Sequence, residues 1–309
     1  MNKILLFFLM MICTLFGDFE KALALNDDRR PVLVCSTTQI ADFASQIAGD
    51  RCSVKNILAP GADPHTYMPT PDDVRMVMEA DLSLQNGLHL EGKNWMANLA
   101  KDAGKPLVTC TEGIQPLEIN QEGEKILDPH AWFSPKNAAV YVNNITRAII
   151  ELDADHSHEY QARAKLYLQQ LRVLDIWIRE QVNRIIPQKR VLVTSHDAFD
   201  YFCKEYKFNA QHGYMSLAPV GWSTGSEMGA GMTPKRIKNV IDSLHHYQTS
   251  AVFLETSVNP KTIREVAREA GVDIGGRLYS DSMGETGSAG ATYMGMMRED
   301  VLTTVNALK

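Results

Sequence analysis

From Asp153 to Ile186 the chain runs without a glycine or a proline, and Pro187 ends the stretch. Within it Tyr160, Ala164, Leu168, Leu171, Leu174, Ile178, Val182 and Ile185 recur every three or four residues. That period puts them on one face of a helix. A helix of ~30 residues reaches ~45 Å, more than the width of a small domain. It therefore either serves one large core or joins two. Its place between two halves of similar pattern predicts a strut joining two lobes, and a strut of this kind limits lobe closure to small tilts.

Both halves alternate short β-branched apolar runs with helical periods. In the first, strands are expected at Pro31–Ser36, Ser53–Leu58, Leu82–Gln85 and Leu107–Cys110. Helices are expected at Ile40–Ala48, Pro71–Ala80 and Trp95–Ala103, with Thr70 as a cap ahead of Pro71. In the second, strands are expected at Arg190–Thr194, Ser250–Leu254 and Asp273–Tyr279, and helices at Ala198–Tyr206, Pro234–Leu244 and Pro260–Ala270. Strand–helix alternation indicates parallel sheets in an α/β layer fold. With 309 residues there is room for two domains of this type. The reading divides the chain into a leader at 1–24, a first lobe at 28–152, the connecting helix at 153–186 and a second lobe at 187–309.

The leader rests on Lys3, the apolar run from Ile4 to Gly17 and the small residues Ala22-Leu23-Ala24, which together read as a cleaved secretory signal. Cys13 lies inside the apolar run behind Met10 and Ile12, which does not resemble a lipidation site. The mature protein is expected to be soluble and periplasmic. Cys35, Cys52, Cys110 and Cys203 then remain; export permits disulfides, but no C-x-x-C spacing occurs and buried thiols are the expectation. A formal net charge of -6 argues against nucleic acid as a partner.

The chemistry concentrates in three histidine motifs. Gly61-Ala62-Asp63-Pro64-His65 leads into Tyr67, Pro69, Thr70 and Pro71, a loop whose prolines restrict the backbone on both sides of His65. A second Asp-Pro-His stands at Asp128-Pro129-His130, and His196 follows an apolar run in Val193-Thr194-Ser195-His196-Asp197. Ligands in open α/β sheets gather beyond the carboxyl ends of strands. His65 and His196 follow strands, and so does Asp281 in Ser280-Asp281-Ser282-Met283-Gly284. Three imidazoles and a carboxylate suit one divalent transition metal. Each histidine alone is weak evidence; the conjunction carries the argument. Asp155, His156, His158, His245 and His246 lack that loop context and read as surface.

These four segments resemble, in order, the signatures of the TroA-like metal-binding proteins, the exported solute-binding subunits of ABC importers for zinc, manganese or iron. The resemblance spans the whole mature chain. It implies two lobes, each a four-stranded parallel sheet flanked by helices, joined by one long backbone helix. It implies the ligands His65, His130, His196 and Asp281, no catalysis, and a monomer that delivers Zn2+, Mn2+ or Fe2+ to an inner-membrane ABC permease. Some relatives tuned to manganese carry glutamate where this chain has His196, and dedicated zinc relatives often carry a histidine-rich loop before the second signature. Gln115 to Leu127 contains no histidine. All three metals stay open.

Other expectations follow. Affinity should fall as pH drops through ~6.5, the ordinary imidazole value. Asp63, Asp128 and Asp197 are candidates to orient the rings, and Glu255 reads as a lobe–lobe hydrogen bond or salt bridge. The insert Gly221–Met232, rich in glycine and serine, reads as a mobile loop. Two rival functions are a zinc-dependent hydrolase and a surface adhesin with a structural metal; the hydrolase lacks an H-E-x-x-H motif and an open coordination position.

Overall fold

The computed structural model describes residues 29–121, 124–221 and 233–309. The expected leader at 1–24 and almost all of the Gly221–Met232 insert lie outside the described residues.

The first lobe is built on a four-stranded parallel sheet. Strands β1 (Val32–Cys35), β2 (Ser53–Asn56), β3 (Leu82–Gln85) and β4 (Leu107–Thr109) pair in the order β2-β1-β3-β4. Leu33 of β1 lies between Val54 of β2 and Leu82 of β3. Helix α1 (Thr38–Ala48) starts at Thr37, whose side chain caps the Ile40 N–H, and buries Ile40, Phe43, Ala44 and Ile47 against the sheet. Each such apolar side chain contributes ~1.5–3 kcal/mol over leaving it in water. Helix α2 (Pro71–Met78) opens with a reciprocal cap between Thr70 and Asp73. Helix α3 (Trp95–Asp102) completes this layer. A short antiparallel hairpin, β5 (Glu118–Gln121) with β6 (Glu124–Leu127), then leads to Asp128.

Helices α4 (Pro135–Leu152) and α5 (Ser157–Val182) follow. The expected strut at 153–186 is realised as the 26 residues of α5, with a tight turn at 154–156 before it. Helix α5 packs on α1 and α4 of the first lobe and on α6 (Asp200–Tyr206) and α9 (Tyr293–Leu308) of the second. Its buried face is Tyr160, Ala164, Tyr167, Leu171, Leu174, Ile178 and Val182. It therefore touches both lobes along its length, as a strut must.

The second lobe departs from expectation in its sheet. Among the described residues of this lobe only β7 (Ala251–Glu255) and β8 (Asp273–Leu278) form a parallel ladder, with a register shift between Val252 and Phe253. The expected strand at 190–194 is reduced to bridges from Val193 to Leu217 and from His196 to Val220, with the Phe253 N–H donating to the Val193 carbonyl at 2.8 Å. Among the described residues the ladder of this lobe has two strands and not the four expected, and the Val193 and Leu217 segments join it through isolated bridges and single backbone hydrogen bonds. The Asn209 side chain ties down the start of this segment: it accepts the Leu192 N–H at 2.7 Å and donates to the carbonyls of Leu192 and Met215 at 3.0 and 2.8 Å. Helices α7 (Pro234–His246) and α8 (Lys261–Ala270) pack beside this sheet, and α9 lies on β8. The sequence reading assigned no element to the residues of α9.

One apolar core runs through both lobes and α5. Phe133 of the first lobe stacks on Phe199 of the second with ring centroids 4.3 Å apart, and Phe43 meets Tyr293 at 4.8 Å. Wide opening would expose these rings, so the fold favours small tilts. Cys35, Cys52, Cys110 and Cys203 are buried free thiols. No helix among the described residues is long and apolar enough to cross a membrane.

Candidate metal centre

His65 sits in the loop after β2. The Asp63 carboxylate accepts the His65 backbone N–H at 2.9 Å and the Thr66 hydroxyl at 3.1 Å, which closes a tight turn. The Trp95 indole N–H donates to the Pro64 carbonyl at 3.0 Å. Gly92, with φ of +39°, lies against this loop; a Cβ there would stand 2.3 Å from the His65 carbonyl oxygen. Any side chain would push the His65 backbone aside.

His130 follows the hairpin. One oxygen of Asp128 accepts both the His130 backbone N–H at 2.9 Å and its ring Nδ1–H at 2.7 Å. That assigns the proton to Nδ1 and leaves Nε2 as a donor to a metal. Asn86 donates to the Pro129 carbonyl at 3.0 Å, and Tyr201 of the second lobe donates to the Asp128 carbonyl at 3.0 Å. His196 is held by Glu255, at the end of β7. Oε1 accepts the His196 backbone N–H at 2.8 Å, and Oε2 stands 2.6 Å from ring Nδ1, although that second pair departs from hydrogen-bond geometry. Asp281 follows β8 by three residues.

The four side chains converge. His65 Nε2 is 3.3 Å from His130 Nε2. Asp281 Oδ1 is 3.4 Å from His130 Nε2, and Oδ2 is 3.2 Å from His196 Nε2 and 3.8 Å from His65 Nε2. All four are buried, and their ligand atoms lie within 4.8 Å of one another. Donors ~2.0–2.1 Å from a tetrahedral ion stand ~3.3–3.4 Å apart, so the separations fit one ion at the centre. Both Asp281 oxygens are buried without a hydrogen-bond partner, which is costly unless a cation completes them. The donor set and its spacing fit a divalent metal.

The rings differ electrically. Burial pulls His65 down to about 3, despite the Asp281 carboxylate, so it is neutral. Burial also acts against charge on His130, but Asp128 and Asp281 outweigh it and lift that ring to about 9. Burial is likewise overcome at His196, which Asp281 and Glu255 hold well above the usual imidazole value. Asp281 itself lies well below the carboxylate range: burial opposes this, and the three histidines overcome it.

The orienting partners divide differently from the sequence expectation. Asp128 holds a ring. Asp63 accepts the His65 backbone N–H and the Thr66 hydroxyl, while the His65 ring Nδ1 has no hydrogen-bond partner. Asp197 pairs with Arg236. Glu255, expected to bond between the lobes, instead backs His196 within the second lobe, because β7 lies beside the Val193 segment that delivers His196. The sequence reading missed Glu91, which is buried and accepts the Ser36 hydroxyl at 2.7 Å and the backbone N–H groups of Asn86 and Gly87 at 2.6 and 3.0 Å. It braces the turn after β3. The available signal was the Asn86-Gly87 turn at a strand's carboxyl end, where ligand-shaping residues gather. His89, His158, His245 and His246 are exposed.

Residues 33–307 match the family described as ZnuA, zinc-uptake complex component A, periplasmic. The chain belongs to this family. The manganese-binding lipoprotein MntA of Bacillus subtilis (strain 168) is 38% identical over 290 residues, 91% of this chain and 91% of its own. The iron-binding protein YfeA of Yersinia pestis is 37% identical over 277 residues, 88% of this chain and 84% of its own. Among solved structures, the periplasmic zinc binding protein TroA from Treponema pallidum superposes with a TM-score of 0.82 at 31% identity, covering 90% of this chain and 99% of that one. These relatives are named for three different metals.

Proposed function

We propose that this member of the ZnuA family captures one divalent transition metal, Zn2+, Mn2+ or Fe2+, between its lobes and hands it to an ABC permease. His65, His130 and His196 would bind through Nε2 and Asp281 through its carboxylate. The observation that carries the reading is the convergence of four buried donors, from loops of both lobes, with all ligand atoms within 4.8 Å of one another. Three neutral imidazoles and one carboxylate leave a formal +1 on the site, and the carboxylates of Asp128 and Glu255 stand behind two of the rings.

A binding role suits this geometry better than hydrolysis. Catalytic zinc keeps a position for water and needs a base nearby; here four donors in a buried site are enough to fill a tetrahedral ion. The MntA, YfeA and TroA names point to binding of manganese, iron and zinc. Raw affinity ranks zinc above iron and manganese at most such sites, so tight zinc binding in vitro does not identify the cargo.

The lobes at 28–152 and 187–309, joined by the helix at 153–186, are the units that would close on the ion; the packing of α5 on both supports this. The protein would act outside the cytoplasm, as a periplasmic monomer freed from its leader. The lipoprotein in the MntA name raises a lipid anchor as the competing form. Elemental analysis of protein from the native host, with growth rescue of a deletion strain by each metal, identifies the cargo. Asp281→Ala protein purified in parallel should carry no bound metal; retention of the metal by that variant overturns the site.

A further inference from the structure

The segment that presents Asp281 belongs to the second lobe by sequence, but the first lobe holds it. The Gln39 amide donates to the Ser280 carbonyl at 3.0 Å, the Met283 N–H donates to Thr38 Oγ1 at 2.8 Å, and the Gly61 N–H donates to Ser282 Oγ at 2.8 Å. These bonds fall on the residue before Asp281 and on the two after it. Thr38 and Gln39 form the first turn of α1, and Gly61 lies in the His65 loop.

Two of the three bonds are linked. The Thr38 hydroxyl donates to Gln39 Oε1 at 3.1 Å. This turns the Gln39 NH2 towards Ser280 and leaves the Thr38 oxygen to accept from Met283. The result is a circuit that leaves the Asp281 segment at Met283 and returns to it at Ser280. Every polar group in it is partnered, and Gln39 is 1% exposed. From its own lobe the segment is met by a hydroxyl–hydroxyl hydrogen bond between Ser257 and Ser280 at 2.8 Å. The Asp281 carboxylate receives no hydrogen bond at either oxygen. The imidazoles that face it, at 3.2 to 3.8 Å, are the groups it would share a metal with; the circuit grips the backbone that carries it on both sides.

We propose that Thr38 and Gln39 are positioning residues for Asp281, forming a latch between the lobes that must open before the metal leaves. The inference rests on the proposed metal site. The latch stabilises the state in which all four donors face one point. Parting of the lobes breaks it and swings the carboxylate away, so its strength sets the rate of release more than the rate of capture.

The test is release of Co2+ into excess chelator, followed by the visible absorption of the bound ion, for the full-length protein. Thr38→Val and Gln39→Met each should release Co2+ ~10-fold faster than the parent, the change expected when a buried hydrogen bond is lost and its partner stranded. Thr38→Ser keeps the hydroxyl and should stay within about twofold. Because both residues serve one circuit, the double variant should release little faster than either single variant. Melting of the metal-free proteins separates a loosened latch from a damaged fold, since the latch predicts faster release in variants that still melt cooperatively. Release within about twofold of the parent in both single variants overturns the latch, and so does equal acceleration by Thr38→Ser. If Asp281→Ala holds Co2+ with an unchanged spectrum, the metal site itself is wrong and the latch falls with it.

Discussion

The loop of His65 and the turn of His130 start from the same three residue types, Asp-Pro-His, yet they do different work. In the first, the aspartate closes the backbone and leaves the ring's Nδ1 buried without a partner. In the second, the aspartate holds backbone and ring together. Burial therefore keeps His65 neutral, whereas Asp128 and Asp281 keep His130 charged in the metal-free protein. His196, backed by Glu255, behaves like His130. The lesson is that a shared motif fixes where a histidine stands but not its protonation. One ring is ready for a cation, and two must first give up protons.

The largest effect should come from removing a ligand. Structural zinc binding of ~10–16 kcal/mol spread over four donors is ~3 kcal/mol each, so His130→Ala should weaken metal binding ~100–1000-fold by calorimetry. Affinity within ~10-fold of the parent would remove His130 from the site.

Next is pH. A raised imidazole must lose its proton to bind metal, so apparent affinity should climb as pH rises from 6 towards about 9, where His130 becomes neutral. Each displaced proton adds ~10-fold per pH unit. This moves the window above the ordinary imidazole value expected from sequence. Calorimetry in buffers of different ionisation enthalpy should show proton release at pH 7; no release would erase the contrast between His65 and the other two rings. The same shift gives the metal-free protein stability that is present below ~6.5 and lost as pH rises through about 9.

Asp128→Asn and Glu255→Gln should each cost ~10–100-fold in affinity, the usual penalty for losing a carboxylate behind a metal-bound imidazole. Each should also flatten the pH dependence, because a ring without its anion carries its proton less readily. Asp63→Asn keeps an oxygen that accepts the His65 N–H, so it should have the smallest effect, about twofold, as the weakening of one hydrogen bond to a charged group, and should leave the pH dependence unchanged. If Asp63→Asn flattens the pH profile as much as Asp128→Asn, the two Asp-Pro-His turns are equivalent after all.

The uninterrupted period before Pro187 was legible as a strut, because a long amphipathic helix depends on local spacing alone. The first-lobe strands were legible for the same reason, and Leu82–Gln85 forms at its expected bounds. The strand expected at 190–194 was not, because its pairing with the Leu217 segment and with β7 depends on long-range contacts that reduce to isolated bridges and single hydrogen bonds.

The four donors could be picked out by residue type, proline-restricted loops and position after strands. Their assistants could not, since hydrogen bonding follows distance in space and neighbours in sequence often point elsewhere. Asp197 adjoins His196 yet pairs with Arg236, while Glu255 arrives from the adjacent strand to back the ring. Composition and spacing alone thus determined a two-lobed parallel α/β chain with a cation-seeking donor set. Only the tertiary structure decided which carboxylates charge which rings and which lobe aims Asp281, because those are matters of a few ångströms between segments up to 245 residues apart.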